Sequence, residues 1–172
     1  FDIQTDADIS YDFGGAFPTF NNAGLLKKTV ATGETVIGSG NSIHFNLTGG
    51  SIDVQTGTLM MGGNFNVTGP ASSSLLGGTV NVSGAQLSST STADLVISPG
   101  GALNFNGGTH TLNSGADFTG TGTYAVGTGT TLTVNSGATL TASTLNLSGS
   151  LGGAGAVTVN SAMNWTGGSR TS

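Results

Sequence analysis

FNLTG (45–49), FNVTG (65–69), VNVSG (80–84), LNFNG (103–107), LNLSG (145–149) and MNWTG (163–167) are six versions of one phrase: apolar, Asn, apolar, polar, Gly. Their separations fall near one or two multiples of about 21 residues, with local slips, and a period in that range is the mark of a solenoid. Within the phrase the apolar residues stand at i and i+2, which is strand spacing with one buried face. The alternation predicts Asn46, Asn66, Asn81, Asn104, Asn146 and Asn164 facing outward, and Gly49, Gly69, Gly84, Gly107, Gly149 and Gly167 at the turns that follow.

Outward from the phrase the same period-two pairing recurs, as in Ile52/Val54, Leu95/Ile97, Leu132/Val134 and Val157/Val159. Gly, Asn, Ser or Pro breaks each run within a few residues, so the strands are short and the turns frequent. Between Ala102 and Leu147 the strand centres fall about seven residues apart, and three such steps make a coil of about 21 residues with a strand on each of three sides. TLNSG from Thr111, TVNSG from Thr133 and TVNSA from Thr158 repeat at the same interval. The expected fold is an all-β, right-handed parallel β-helix of about eight coils, about 40 Å long at the usual strand spacing. It forms a single unit over 1–172, less regular in 1–40 and regular in 41–172. Asn and Thr of successive coils are expected to hydrogen-bond as ladders, as in stacked cross-β arrays.

Composition narrows the function. The 172 residues include 31 glycines and no cysteine, and 6% are charged, against about 25% in ordinary domains. Thr, Ser and Asn must therefore keep the surface wet, and disulfides and thiolate metal sites are excluded. Three cationic residues against eight acids leave little with which to hold phosphates, so nucleic acid is not an expected partner. No run of apolar residues is long enough to span a membrane as a helix. The chain opens at Phe1 in an alternating pattern and closes on MNWTGGSRTS with no polar cap. Solenoids protect their ends with capping repeats, so these ends suggest a segment of a longer repeat array.

The N-terminal stretch holds the candidate metal ligands. Asp2, Asp6, Asp8 and Asp12 supply the oxygen chemistry that calcium prefers, and they equally suit a solvated strand edge that discourages sticking. The calcium-solenoid signature G-G-x-G-x-D is missing, so no cofactor is expected, with calcium as the exception to test. Catalysis would need paired carboxylates at fixed separation. Glu34, Asp53, Asp94 and Asp117 are scattered, with Asp94 and Asp117 loosely one coil apart, so no enzymatic activity is expected. His110 takes the place in THTL that Leu132 takes in TLTV, which puts it in a strand at the edge of the core. Trp165, equivalent to Leu47 and Leu147, is expected in the core. Tyr11 and Tyr124 are the other aromatic platforms for a sugar. Thr109/Thr111 and Thr131/Thr133 form a Thr-x-Thr rank of the kind that binds ice, expected to end at Gly153 and Gly155. Five N-x-[ST] sequons all lie within the phrase and follow from its strand chemistry.

FDIQTDADISYDFGG, PTFNNAG, DVQTGTL from Asp53, GGTHTLNSGA from Gly107 and the long run STLNLSGSLGGAGAVTVNSAMNWTGGS from Ser143 resemble repeat modules of very large exported bacterial proteins. The chain is similar in them to filamentous-haemagglutinin and autotransporter-passenger β-solenoids. The resemblance implies a cell-surface or secreted adhesin or filament, stacking on neighbouring modules or on identical subunits head to tail, with surface glycans as possible targets. A glycan- or ice-binding surface is the alternative. The resemblance carries no catalytic residue across.

Overall fold

The computed structural model describes residues 1–69, 75–83, 87–89 and 93–171. Short strands form wherever Gly, Asn or Ser does not interrupt the alternation of Val, Leu, Ile, Phe and Thr, residues that fit a half-buried pleated surface. In chain order they are β1 (Asp2–Ile3), β2 (Thr19–Asn22), β3 (Leu25–Lys28), β4 (Glu34–Ile37) and β5 (His44–Leu47). There follow β6 (Ser51–Met61), β7 (Phe65–Val67), β8 (Leu75–Ser83), β9 (Leu87–Ser89) and β10 (Asp94–Ile97). Next come β11 (Ala102–Asn106), β12 (Thr109–Leu112), β13 (Asp117–Gly120), β14 (Thr123–Val126) and β15 (Thr131–Val134). The last are β16 (Thr139–Leu147), β17 (Ser150–Gly152), β18 (Ala156–Trp165) and β19 (Ser169–Arg170). Among the described residues the sole helix is one 3-10 turn, Ser39–Asn41.

Among the described residues every strand pair is parallel, and the strands stack as a β-solenoid of about seven turns, about 22 residues apart. Three faces can be traced. The first runs from β1 through β3, the first parts of β6 and β8, then β10 and β13, to the first halves of β16 and β18. The second takes β4, the second half of β6, then β8, β11, β14 and the second halves of β16 and β18. The third is a separate sheet of eight strands, from β2 to β19. Long strands turn the corner between the first two faces without ending, and the register shifts there, between Asp53 and Thr58 and between Ala142 and Thr144.

Coil length drifts along the rod. On the second face the paired residues are Glu34 and Thr58, 24 apart; Thr58 and Thr79, 21; Thr79 and Ala102, 23. Ala102 and Thr123 are 21 apart, Thr123 and Thr144 again 21, and Thr144 and Ala162 only 18. This accounts for part of the irregular phrase spacing, and a change of face accounts for the rest. FNLTG and FNVTG lie on the third face, in β5 and β7, whereas the four later copies lie on the second, in β8, β11, β16 and β18. Hence Phe65 and Val80 are separated by less than one coil. A further version on the second face, Tyr124-Ala125-Val126, carries Ala where the others carry Asn, in register with Asn104 and Asn146.

The interior is a column of inward apolar side chains. Leu103, Phe105, Phe118, Tyr124, Leu132, Leu140, Leu145 and Leu147 are all fully buried in one continuous core. On the third face Phe20 stacks on Phe45, centroids 5.2 Å apart, Phe65 meets Phe45 edge to face at 5.8 Å, and Phe1 meets Phe20 edge-on at 6.0 Å. Burial of this kind contributes about 25 cal/mol per Å² of apolar surface.

The first coil departs from the expected strand. FDIQTDADIS forms only the two residues of β1 and an isolated bridge from Ile9 to Ile37. The alternation fails because Asp6 and Asp8 turn toward the next coil: Asp6 Oδ2 accepts from Gly33 N at 3.0 Å and Asp8 Oδ1 from Val36 N at 2.9 Å. Carboxylates thus replace strand carbonyls at the edge of β4, a polar closure that the sequence reading did not foresee.

Candidate functional surface

The outward positions of the faces carry the molecule's exposed chemistry. On the third face Asn46 Nδ2 donates to Asn21 Oδ1 at 2.9 Å, and Asn66 Nδ2 to Asn46 Oδ1 at 2.8 Å. On the second face Asn104 donates to Asn81 at 2.9 Å and Asn164 to Asn146 at 2.8 Å. A corner ladder, Asn135 to Asn113 at 3.2 Å, stands after the third face. The phrase asparagines are thus divided between two faces, with a break at Ala125. Asn21 was missed in the sequence because PTFNNAG ends its apolar pair on Asn22 in place of a hydrophobe. Asn22 is buried and satisfies its amide on Ser51 O at 3.0 Å.

The phrase glycines have more than one role. Gly107 has φ 82°, and Gly49 has φ 105°, a backbone region costly to residues with a Cβ. Gly149 has no such φ; there a Cβ would come 2.2 Å from Gly127 O, so glycine is needed for the close approach of adjacent coils. Gly69 is held by the same crowding, against Gly49 N at 2.3 Å. Gly167 has neither constraint: its phase of the turn passes to Gly168, φ 73°. Gly84 lies outside the described residues.

The four N-terminal aspartates separate into individual contacts. Asp2 Oδ2 lies 3.3 Å from Lys27 Nζ and its Oδ1 accepts from Thr29 Oγ1 at 2.9 Å. The Gln4 amide, ahead of Thr29 and Lys27, holds the Asp2 carboxyl below the usual carboxylate range. Asp6 Oδ1 lies 2.6 Å from Nζ of Lys28, whose hydrogen bond holds the Asp6 carboxyl below its usual range as well. Lys28 itself is 0% exposed, in register with Val54 inside the rod. Its ammonium also donates to Thr5 O and Thr35 Oγ1, each at 3.2 Å, which uses all three donors. Asp12 Oδ2 accepts from Ser10 Oγ at 3.5 Å. No three His, Cys, Asp or Glu side chains converge on a metal-sized space among the described residues.

Asp94 and Asp117 stand closer than the sequence suggested, directly paired on adjacent strands of the first face. Asp94 Oδ1 accepts from Asp117 N at 3.1 Å, and Asp117 Oδ1 accepts from Thr139 Oγ1. Both carboxylates therefore continue the ladder of the face. His110 pairs with Leu132 as expected but is fully buried instead of lying at the core edge. Its ring tilts against Phe105 at 5.0 Å, Nε2 sits 2.8 Å from Gly107 O, and burial pushes its pKa down.

Three aromatic or hydroxyl expectations change. Trp165 pairs with Leu147 yet is 55% exposed, because among the described residues β18 is paired on one edge alone, with β16. Tyr124 is no platform: it is buried, its hydroxyl donates to Thr119 O at 3.1 Å, and burial together with Asp117 raises its pKa. Tyr11 remains half-buried beside Phe13, ring centroids 5.9 Å apart. The Thr-x-Thr rank continues in register to Ser150 and Gly152, not to Gly153 and Gly155. The large exposed hydrophobics among the described residues are Phe1, Phe13, Phe17, Leu25 and Val30 toward the N-terminus, Val96 on β10, and Met163 and Trp165 on β18.

No helix among the described residues is long and apolar enough to cross a membrane. Compared with protein-family models, curated proteins and solved structures, the chain matches none.

Proposed function

We propose that the protein is a structural and adhesive rod, part of an extracellular bacterial surface or secreted protein similar to filamentous-haemagglutinin and autotransporter-passenger repeats. The observation that carries this reading is unbroken stacking: strands pair from Asp2 on the first face to Arg170 on the third. Each coil contacts its neighbours, so the fold transmits length and stiffness along one axis and leaves its outward columns free for contact. Those columns are Thr, Ser and Asn with few charges, a surface that meets glycan hydroxyls through many weak hydrogen bonds. The Asn ladders, broken on the second face at Ala125, resist axial separation of the coils.

The test has two readouts. Electron microscopy of the purified protein is expected to show rods whose long axis is about 34 Å between first and last strands, for seven steps at the usual spacing. Beads coated with it are expected to adhere to glycan-bearing cell layers more than beads coated with a helical protein of equal size, and to lose that excess after enzymatic deglycosylation. Equal retention of the two coats would defeat the adhesive part; compact particles would defeat the rod.

A further inference from the structure

LNFNG is the one copy of the repeated phrase with Asn at its fourth position. Elsewhere that position is Thr or Ser, and in Thr48, Thr68 and Ser148 the hydroxyl donates to a carbonyl of the preceding coil, Asn22 O, Leu47 O and Val126 O. Asn106 is exposed at the end of β11, and its carboxamide makes no hydrogen bond among the described residues. Its Oδ1 leans over Gly127 of the next coil, where a Cβ would come 2.9 Å from it, so the bare glycine leaves the carboxamide room to turn. The residue that follows is Gly107, which makes the only Asn-Gly pair in the chain. Gly107 takes φ 82° and has no Cβ to shield its nitrogen. One side chain restrains that nitrogen: the N–H donates to Oγ1 of the buried Thr130 at 2.5 Å. At the matching glycine, Gly149, the N–H donates to a backbone carbonyl, Val126 O, at 2.9 Å.

We propose that Asn106–Gly107 is a self-modification site, at which Asn106 is converted to isoaspartate and aspartate, and that the Thr130 hydroxyl is the brake on it. The Gly107 nitrogen, its proton taken by hydroxide, attacks Asn106 Cγ. The N–Cγ bond forms, the Cγ–Nδ2 bond breaks, and the amide nitrogen leaves as ammonia. Water then opens the cyclic imide at either carbonyl, so that one amide and one water become one carboxylic acid and one ammonia. Thr130 opposes the first step because a hydrogen-bonded N–H must give up its acceptor and rotate before it can attack. The other exposed chemistry of this type is slower or better held. Asn113 and Asn135 precede Ser, whose Cβ crowds the nitrogen, and are joined in the corner ladder; Asn160, also before Ser, lies inside β18. The product has a structural consequence. Asn106 ends a second-face strand and Thr109 begins a third-face one, so the extra backbone methylene of isoaspartate falls at the corner that sets the register of β12.

The full 172-residue chain tests this when it is held folded at mildly alkaline pH and sampled over weeks by peptide mapping, with isoaspartyl methyltransferase labelling of the same samples. A gain of one mass unit is expected at Asn106 before Asn113, Asn135 or Asn160, with isoaspartate in the product. Thr130→Val removes the acceptor and is expected to speed the conversion about tenfold, the scale of one hydrogen bond. Thr130→Ser keeps the hydroxyl and should hold the parent rate. Asn106→Thr restores the usual residue of the phrase and should abolish the reaction at this corner. Melting curves establish that the variants are folded during incubation, and unfolding the parent in urea releases the same brake without any substitution. Conversion at Asn106 no faster than at the Asn-Ser sites of the folded parent overturns the site. Equal rates in Thr130→Val and Thr130→Ser, or in folded and unfolded parent, overturn the brake.

Discussion

In the coils from Asp94 to Leu147 each strand edge is met by another strand, whereas at Gly33 and Val36 the same backbone donors are met by the carboxylates of Asp6 and Asp8. The two regions solve one problem by different means. In the regular coils successive residues supply both the ladder and the core, so every substitution is felt by the coils above and below. In the first coil side chains stand in for backbone, and a charged residue, Lys28, occupies a slot that belongs to Val54 in the next coil. Stacking satisfies the backbone only where a neighbour exists on both sides; at an open edge, hydrogen bonds must be found elsewhere.

The largest expected contrast follows from packing. Phe105 is fully buried with coils on both sides, while Phe20 lies in the outermost strand of its sheet. Phe105→Ala is expected to cost about 3–5 kcal/mol in denaturant unfolding, and Phe20→Ala less than half of that. Equal losses would mean that the first coil is as integral to the core as the interior ones.

Next in size is the Lys28–Asp6 pair. Asp6→Asn leaves a buried ammonium without its counter-charge, which is strongly destabilising, whereas Lys28→Met replaces the charge by a hydrophobe in an apolar column. The second variant is therefore expected to be the more stable of the two. Because the Asp6 pKa is lowered in the fold, its contribution is present above the unfolded carboxylate range and is lost as pH falls through the folded value. Amide exchange at Gly33, whose N–H donates to Asp6, should lose protection in acid ahead of the regular coils, and Lys28→Met should blunt that pH dependence. Uniform acceleration along the rod would contradict a separate N-terminal closure.

The regular region has one titrating weak point. His110 is held neutral by burial, with its pKa lowered, so stability is full above the unfolded histidine value of about 6.5 and declines as pH falls below it. His110→Leu restores the column that Leu132 continues. It is expected to raise the unfolding midpoint at mildly acidic pH while changing it little at pH values well above that range. A midpoint difference independent of pH would place the effect in packing alone.

The period, strand type and outward Asn were legible because alternation and turn residues act locally. Face assignment was not: FNVTG and VNVSG read alike, and only the long-range pairing of Phe65 with Phe45 and of Val80 with Leu59 separates them. The aspartate closure was half visible, since Asp6 and Asp8 stand two apart, but their targets lie 27 and 28 residues on. Trp165 was placed in the right column and the wrong environment, because a phrase records register and says nothing of whether another coil follows.

The smallest effect is also the most specific to the ladder. Asn104 and Asn146 are each in register with Ala125 between them, so the second-face ladder lacks one rung. Ala125→Asn supplies a donor to Asn104 and an acceptor for Asn146 without touching the core, since Tyr124 and Val126 keep their inward places. A cross-strand side-chain pair contributes about 0.2–1 kcal/mol, and two new contacts at a partly exposed position should give a small net gain in the unfolding midpoint. The same substitution at Ala102, also in register with Thr123 but outside the Asn column, should give none. If both gain equally, the benefit belongs to Asn in any strand, and the outward ladders do not hold the coils together.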